Sequence, residues 1–230
     1  MKLKSIFISS LYVIFLINTL YVCSQQSIKV LLEETQSFPG VWSLLPEEVY
    51  IALKYTKYDA VLNVLEFGSG TSTTELSKLF IKKNVPYEYH VFENDINYVQ
   101  EIEKVFFYLY DLPPSTTCDY STWINPISCI ELPSMPCFDL VIVDGPHGIA
   151  RAQWYSKFKK YTRQGTIILV DDFHHYSDFG LELDRNFKYT TIIEYNQNPA
   201  YPIVNKGLES INNRILNKTF KIVIVDEVLS

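Results

Sequence analysis

Glu66, Glu93, Asp144, Asp171 and Asp172 each close a short apolar run, in LNVLEF, YEYHVFE, FDLVIVDG and GTIILVDD. His147 follows the third run, and His174 and His175 follow the fourth. After Glu66 two glycines alternate, in EFGSGTST, so that Gly68, Ser69 and Gly70 form a turn ahead of a Ser/Thr cluster. Glycines let a backbone turn sharply and approach a ligand with no Cβ between, and a helix opening there offers free amides to a negative group. A lone GxG is equally the mark of a structural turn. An acid closing the next run, as Glu93 does, suits the hydroxyl pair of a ribose. Glu66, beside the glycines, suits a ligand amino group, met directly or through water. Asp144, His147, His174 and His175 have the residue types that remove a proton near neutral pH. An exposed loop histidine is, in the ordinary case, merely solvated. Asp144 with Asp171 and Asp172 also has the oxygen ligands a Mg²⁺ ion takes, although acids cap loops and helices at strand ends without any metal.

The elements that would position these groups can be read from periodicity. Pro46 to Tyr58 has Pro at a helix start, acids after it and apolar residues at helical spacing. Leu62 to Phe67 is a buried-type strand. Thr73 to Lys82 is predicted helical, entered through Ser72 with Glu75 three residues on, the arrangement of a capping box. Tyr87 to Glu93 reads as a second strand and Asn97 to Tyr110 as a second helix. From Asp111 to Cys137 the pattern fades among prolines and three cysteines, and a strand within Ser121 to Ile130 is not placed. Phe138 to Gly145 and Gly165 to Asp172 are strands of the fully buried kind, with Arg151 to Tyr161 helical between them. Thr190 to Tyr195 and Lys221 to Val228 read as closing strands. Continuous apolar strands alternating with helices imply a mostly parallel sheet covered on both faces, with ligands beyond the carboxyl ends of the strands. His90, inside a strand, reads as a packed core histidine.

The chain of 230 residues carries a formal charge of −6 and is 47% hydrophobic. That suits one globular domain with a real core. The acidic balance gives no electrostatic reason to expect nucleic acid. Residues 1–24 read as a secretory signal, with Lys2 and Lys4 ahead of an apolar stretch from Ile6 to Val22, or else as an uncleaved anchor. A membrane is expected as a partner only in the second case. The domain, residues 25–230, then faces the secretory lumen or the outside. Cys118, Cys129 and Cys137 could leave one disulfide and one thiol, or serve as small buried hydrophobes. Asn217-Lys218-Thr219 is a glycosylation sequon in that compartment.

LEFGSGTST, VFEND, FDLVIVDGPHG and GTIILVDD, in this order and spacing, resemble the class I S-adenosylmethionine-dependent methyltransferases, over about Pro46 to Tyr176. The likeness is to the branch with an LEFGSG-type first motif and a VDGP fourth motif. A Rossmann-like methyltransferase fold follows from it, with helices on both faces of the sheet and an antiparallel closing strand. It implies that Glu66, Gly68, Ser69 and Gly70 line the methionine end of the cofactor, that Glu93 holds the ribose, and that Asp144 lies near the sulfonium and the acceptor. A lumenal member resembles the polysaccharide O-methyltransferases of the plant Golgi, so the expected acceptor is a hydroxyl-bearing carbohydrate or small molecule. Asp144, Asp171 and Asp172 also resemble the Mg²⁺ site of catechol-type O-methyltransferases. Trp154, Tyr155 and Tyr176 are candidates for a sugar-stacking platform, although most aromatics in such a domain are core. Two other readings stand beside this one. Aminopropyl transfer uses a related fold but does not call for Glu66. A non-catalytic binding protein could retain the fold without the chemistry.

Overall fold

The computed structural model describes residues 44, 46–111, 130–146, 149–175, 178–196 and 219–230. The leader, Cys118, Cys129, His147, Tyr176 and Asn217 lie outside the described residues. A seven-stranded sheet runs in the order β3-β2-β1-β4-β5-β7-β6. Its strands are β1 (Leu62–Phe67), β2 (Tyr87–Glu93), β3 (Val105–Leu109), β4 (Leu140–Val143), β5 (Ile167–Asp171), β6 (Phe187–Asn196) and β7 (Thr219–Val228). The first five are mutually parallel, and β7 runs antiparallel to both β5 and β6. This is the Rossmann-like architecture expected from the sequence, a mostly parallel sheet with an antiparallel closing strand. The chain steps outward from β1 to β3 and returns to the other side of β1 for β4, so the topological switch lies between β1 and β4.

Burial explains why the central strands read so clearly. Every residue of β4 and β5 is buried, as are all of β1 except Asn63. With helices on both faces neither side of these strands meets water, and the pattern is continuous rather than alternating. Two cores result. On one face α1 (Pro46–Tyr55) and α2 (Thr71–Lys82) cover Leu62, Val64, Tyr89, Ile142 and Leu169. On the other, α3 (Trp154–Phe158) and α4 (Asp178–Asn186) cover Leu65, Phe67, Val141, Val143 and Val170. Each fully buried side chain of this kind adds roughly 1.5–3 kcal/mol relative to an exposed one.

The expected helix over Asn97–Tyr110 is not formed. A 3-10 turn spans Ile96–Tyr98 and β3 takes Val105–Leu109, in register from Tyr89↔Val105 to Glu93↔Leu109. The run VFFYL is β-branched and aromatic, and it satisfies the otherwise open edge of β2. Phe106 and Leu109 are exposed on this edge strand, which is why no polar alternation marked it. The unplaced third strand is therefore here, and Ser121–Cys129 lies outside the described residues. The 3-10 turns Ile149–Gln153 and Lys159–Tyr161 flank α3 where one continuous helix was expected.

α2 also begins differently. Gly70 is its N-cap and the helix starts at Thr71. Ser72 and Thr73 point their hydroxyls at Glu66, and Glu75 pairs with Lys78 at 2.7 Å, so the Ser72/Glu75 capping box is not made. The helix ends through Asn84, whose φ of 53° is the left-handed conformation that asparagine tolerates.

Candidate functional site

Strand parity decides where Glu66 points. It shares the face of Leu62 and Val64, beneath α2, and is fully buried. The Ser72 hydroxyl donates to its Oε1 at 2.6 Å, and the Thr73 and Tyr89 hydroxyls donate to its Oε2 at 2.6 and 2.7 Å. Burial pushes the Glu66 carboxyl above the usual range, and the three hydroxyls pull it part of the way back. The expectation that Glu66 meets a ligand amino group is corrected: its carboxylate faces the core and anchors the first turn of α2.

The glycine turn has two parts with different reasons. Gly68 has φ 89°, and a methyl there would lie 2.8 Å from the Gly145 nitrogen. Its missing Cβ makes room for the loop after β4, not for a ligand. Around a methyl at Gly70 there is nothing within 4 Å, and this is the turn's open side, at the N-terminus of α2. Gly70, not Gly68, leaves space a ligand can use.

Glu93 closes the turn from the neighbouring strand. The Ser69 amide and hydroxyl donate to its Oε2 at 2.6 and 2.8 Å, and the amides of Asn94 and Asp95 donate to its Oε1 at 2.7 and 2.8 Å. A carboxylate has about four acceptor positions, so this one is fully used within the protein. Ser69 thereby ties the glycine turn to β2.

Past Glu93, Tyr110 packs edge-on against Trp154 at 5.4 Å. Its buried hydroxyl has no hydrogen-bond partner among the described residues, and burial and Glu93 raise its pKa while Arg151 opposes them. Reading this segment as a helix hid Tyr110. Trp154 and Tyr155 are fully buried, Trp154 donating its indole N–H to the Gly145 carbonyl at 3.0 Å, so neither forms a sugar platform.

The expected metal ligands are not assembled as a set. Asp171 is buried and its Oδ1 accepts the Asp172 amide at 2.9 Å. Arg151 stands between the other two, its Nη1 3.9 Å from Asp144 Oδ1 and 3.4 Å from Asp172 Oδ2. Among the described residues no three His, Cys, Asp or Glu side chains are placed to hold a metal ion. Arg151 was missed because it lies eight residues past the end of β4, as the first residue of a segment read only as helix.

His174 is held by a separate network. Its Nε2 lies 2.9 Å from Glu194 Oε1, and Lys221 Nζ reaches Glu194 Oε2 at 3.0 Å while lying over the rings of Phe173 and Tyr189. Burial lowers the His174 pKa, Glu194 raises it and Lys221 lowers it again. His175 Nδ1 pairs with Asp172 at 3.1 Å. His90 is packed between Phe106, Tyr108 and Phe138, as expected of a core histidine. Cys137 is a free, exposed cysteine. No helix among the described residues is long and apolar enough to cross a membrane.

No known protein-family model matches the chain, and no curated protein matches it. Solved structures do resemble it in chain path. The StiE O-MT segment 961–1257 has a TM-score of 0.49 at 12% identity, over 79% of this chain and 74% of that one. The precorrin-6y C5,15-methyltransferase of Geobacter metallireducens GS-15 has a TM-score of 0.47 at 12% identity, over 84% and 95%. Cofactor-bound Rv0187 from MTB has a TM-score of 0.46 at 13% identity, over 89% and 90%.

Proposed function

We propose that this chain is an S-adenosylmethionine-dependent methyltransferase that methylates a hydroxyl on a small-molecule or carbohydrate acceptor in the secretory pathway. The observation that carries the reading is the crowding of three strand-end loops at the topological switch. The turn after β1 is bonded to Glu93 after β2 and packed on Gly145 after β4. A crevice at that point is where open α/β sheets take their ligands.

The residues present fit an adenosyl cofactor, with one adjustment. Gly70 and the amides that open α2 offer an open side for its methionine portion. Glu93 can take the ribose hydroxyls by exchanging the Ser69 hydroxyl for one of them. Bound, the cofactor supplies an activated methyl group. The protein's own task is alignment of the acceptor oxygen and removal of its proton. Asp144, at the head of the β4 loop and partly exposed, is the carboxylate nearest this role. His174, oriented by Glu194, and His147 are the imidazoles proposed for proton removal.

One observation favours a different reading, a non-catalytic binding protein on this fold. Glu93 is already satisfied by four donors of the protein itself. Calorimetric titration of the purified protein with S-adenosylmethionine and S-adenosylhomocysteine separates the two. Saturable binding that Glu93→Ala abolishes supports the methyltransferase. A folded, monodisperse protein that binds neither compound leaves the binding-protein reading in its place.

A further inference from the structure

Arg151 occupies an unusual place for a buried cation. Its side chain is almost wholly enclosed, in the 3-10 turn Ile149–Gln153 that follows the β4 loop. Nε donates to the Pro146 carbonyl at 3.0 Å and Nη1 to the Asp171 carbonyl at 3.2 Å. The same Nη1 faces Asp144 at 3.9 Å and Asp172 at 3.4 Å, and the Phe179 ring of α4 lies 5.8 Å from Cζ. One guanidinium thus joins the loop after β4 to the loop after β5, and its charge falls between two carboxylates that would otherwise repel across the site.

We propose that Arg151 is the resident cation of this acidic edge, standing where a divalent metal would sit between Asp144 and Asp172, so that the chain works without a metal and Asp144 is aligned by a guanidinium instead. This rests on the methyltransferase reading for its purpose but not for its geometry. Mg²⁺ requires near-octahedral oxygen ligation at about 2.0–2.1 Å. Here the two carboxylates face Nη1 of a guanidinium that two backbone carbonyls hold, and the third acid, Asp171, is turned onto the Asp172 amide. A second cation in the same space would be repelled by the first. Arg151 acts through Asp144 and Asp172, and is therefore a positioning residue.

Titration with Mn²⁺, followed by electron paramagnetic resonance, tests this directly. The unaltered protein is expected to leave Mn²⁺ free at millimolar concentration and to bind S-adenosylhomocysteine equally in EDTA and in MgCl₂. Arg151→Gln, which removes the charge, is expected to gain about tenfold or more in Mn²⁺ affinity over the unaltered protein. Arg151→Lys, which restores a charge, is expected to lose that gain. A Mn²⁺ site in the unaltered protein that Asp144→Asn abolishes would overturn the proposal, and so would an Arg151→Gln protein as indifferent to Mn²⁺ as the original. Should Arg151→Gln not fold, the unaltered protein and Arg151→Lys still decide, because a Mn²⁺ site in either refutes the assignment. Failure to bind S-adenosylhomocysteine would count against the methyltransferase reading alone, since the Mn²⁺ titration does not involve the cofactor.

Discussion

Gly68 and Gly145 meet backbone to backbone: a methyl on Gly145 would lie 2.6 Å from the Gly68 Cα, and one on Gly68 would lie 2.8 Å from the Gly145 nitrogen. The two loops that flank the topological switch are therefore locked by mutual absence of side chains. Gly68 is further held at φ 89°, which L-residues rarely adopt. Gly68→Ala is expected to lose about 2–4 kcal/mol of stability from strain and overlap together. Gly70→Ala is expected to lose about 1 kcal/mol or less, yet to weaken S-adenosylhomocysteine at least about tenfold. Urea unfolding and calorimetry on the same two variants check this. Equal stability losses, or undiminished binding by Gly70→Ala, would reverse the division of labour between the two glycines.

Glu66 should behave as a structural carboxyl. Because burial raises its folded pKa above the unfolded value, the stability linked to its protonation is present below about pH 4.5 and lost as pH rises through the folded pKa. Glu66→Gln removes that dependence while retaining an oxygen for the hydroxyls. It is expected to stay within about 1 kcal/mol of the original at pH 7 and to keep cofactor affinity within about threefold. Glu66→Ala strands three buried hydroxyls, at about 1–3 kcal/mol each. A Gln variant that folds normally but no longer binds the cofactor would return Glu66 to the ligand site.

His90 should make the fold acid-labile. Burial lowers its pKa, the exposed Glu88 only partly opposing, and its Nδ1 bonds the Tyr108 hydroxyl at 2.9 Å. With the folded pKa below the unfolded value of about 6.5, its contribution is full above that pH and is lost as pH falls through the folded pKa. Urea midpoints of the original are expected to fall between about pH 7 and 5 more steeply than those of His90→Phe. Parallel slopes would show that other groups carry the acid sensitivity.

The network around His174 makes opposite predictions for its two partners. Glu194→Gln removes the group that favours the imidazolium, so the His174 midpoint should fall. Lys221→Met removes a group that disfavours it, so the midpoint should rise. Nuclear magnetic resonance titration of the His174 ring reads both. Shifts of the same sign in the two variants would contradict the arrangement.

Much of this was legible along the chain because the cause is local. β4 and β5 are buried throughout, and β1 and β2 except at Asn63 and Glu88, so their runs are largely apolar, and an acid stands at or beside the carboxyl end of each. The same argument failed for Val105–Leu109. Its strand character comes from the free edge of β2, a partner remote from anything a helical window can see.

Residue type and spacing alone determined the alternation of strands and helices, the mostly parallel sheet and the collection of Glu93, Ser69, Gly70 and Asp144 at one edge. What each of those groups faces was decided only by tertiary structure. Strand parity sent Glu66 under α2, loop packing claimed Gly68 for Gly145, and Arg151 came to lie between Asp144 and Asp172. Those outcomes depend on contacts between segments far apart in the chain, where side-chain direction and close approach are set by the sheet, and no local pattern encodes them.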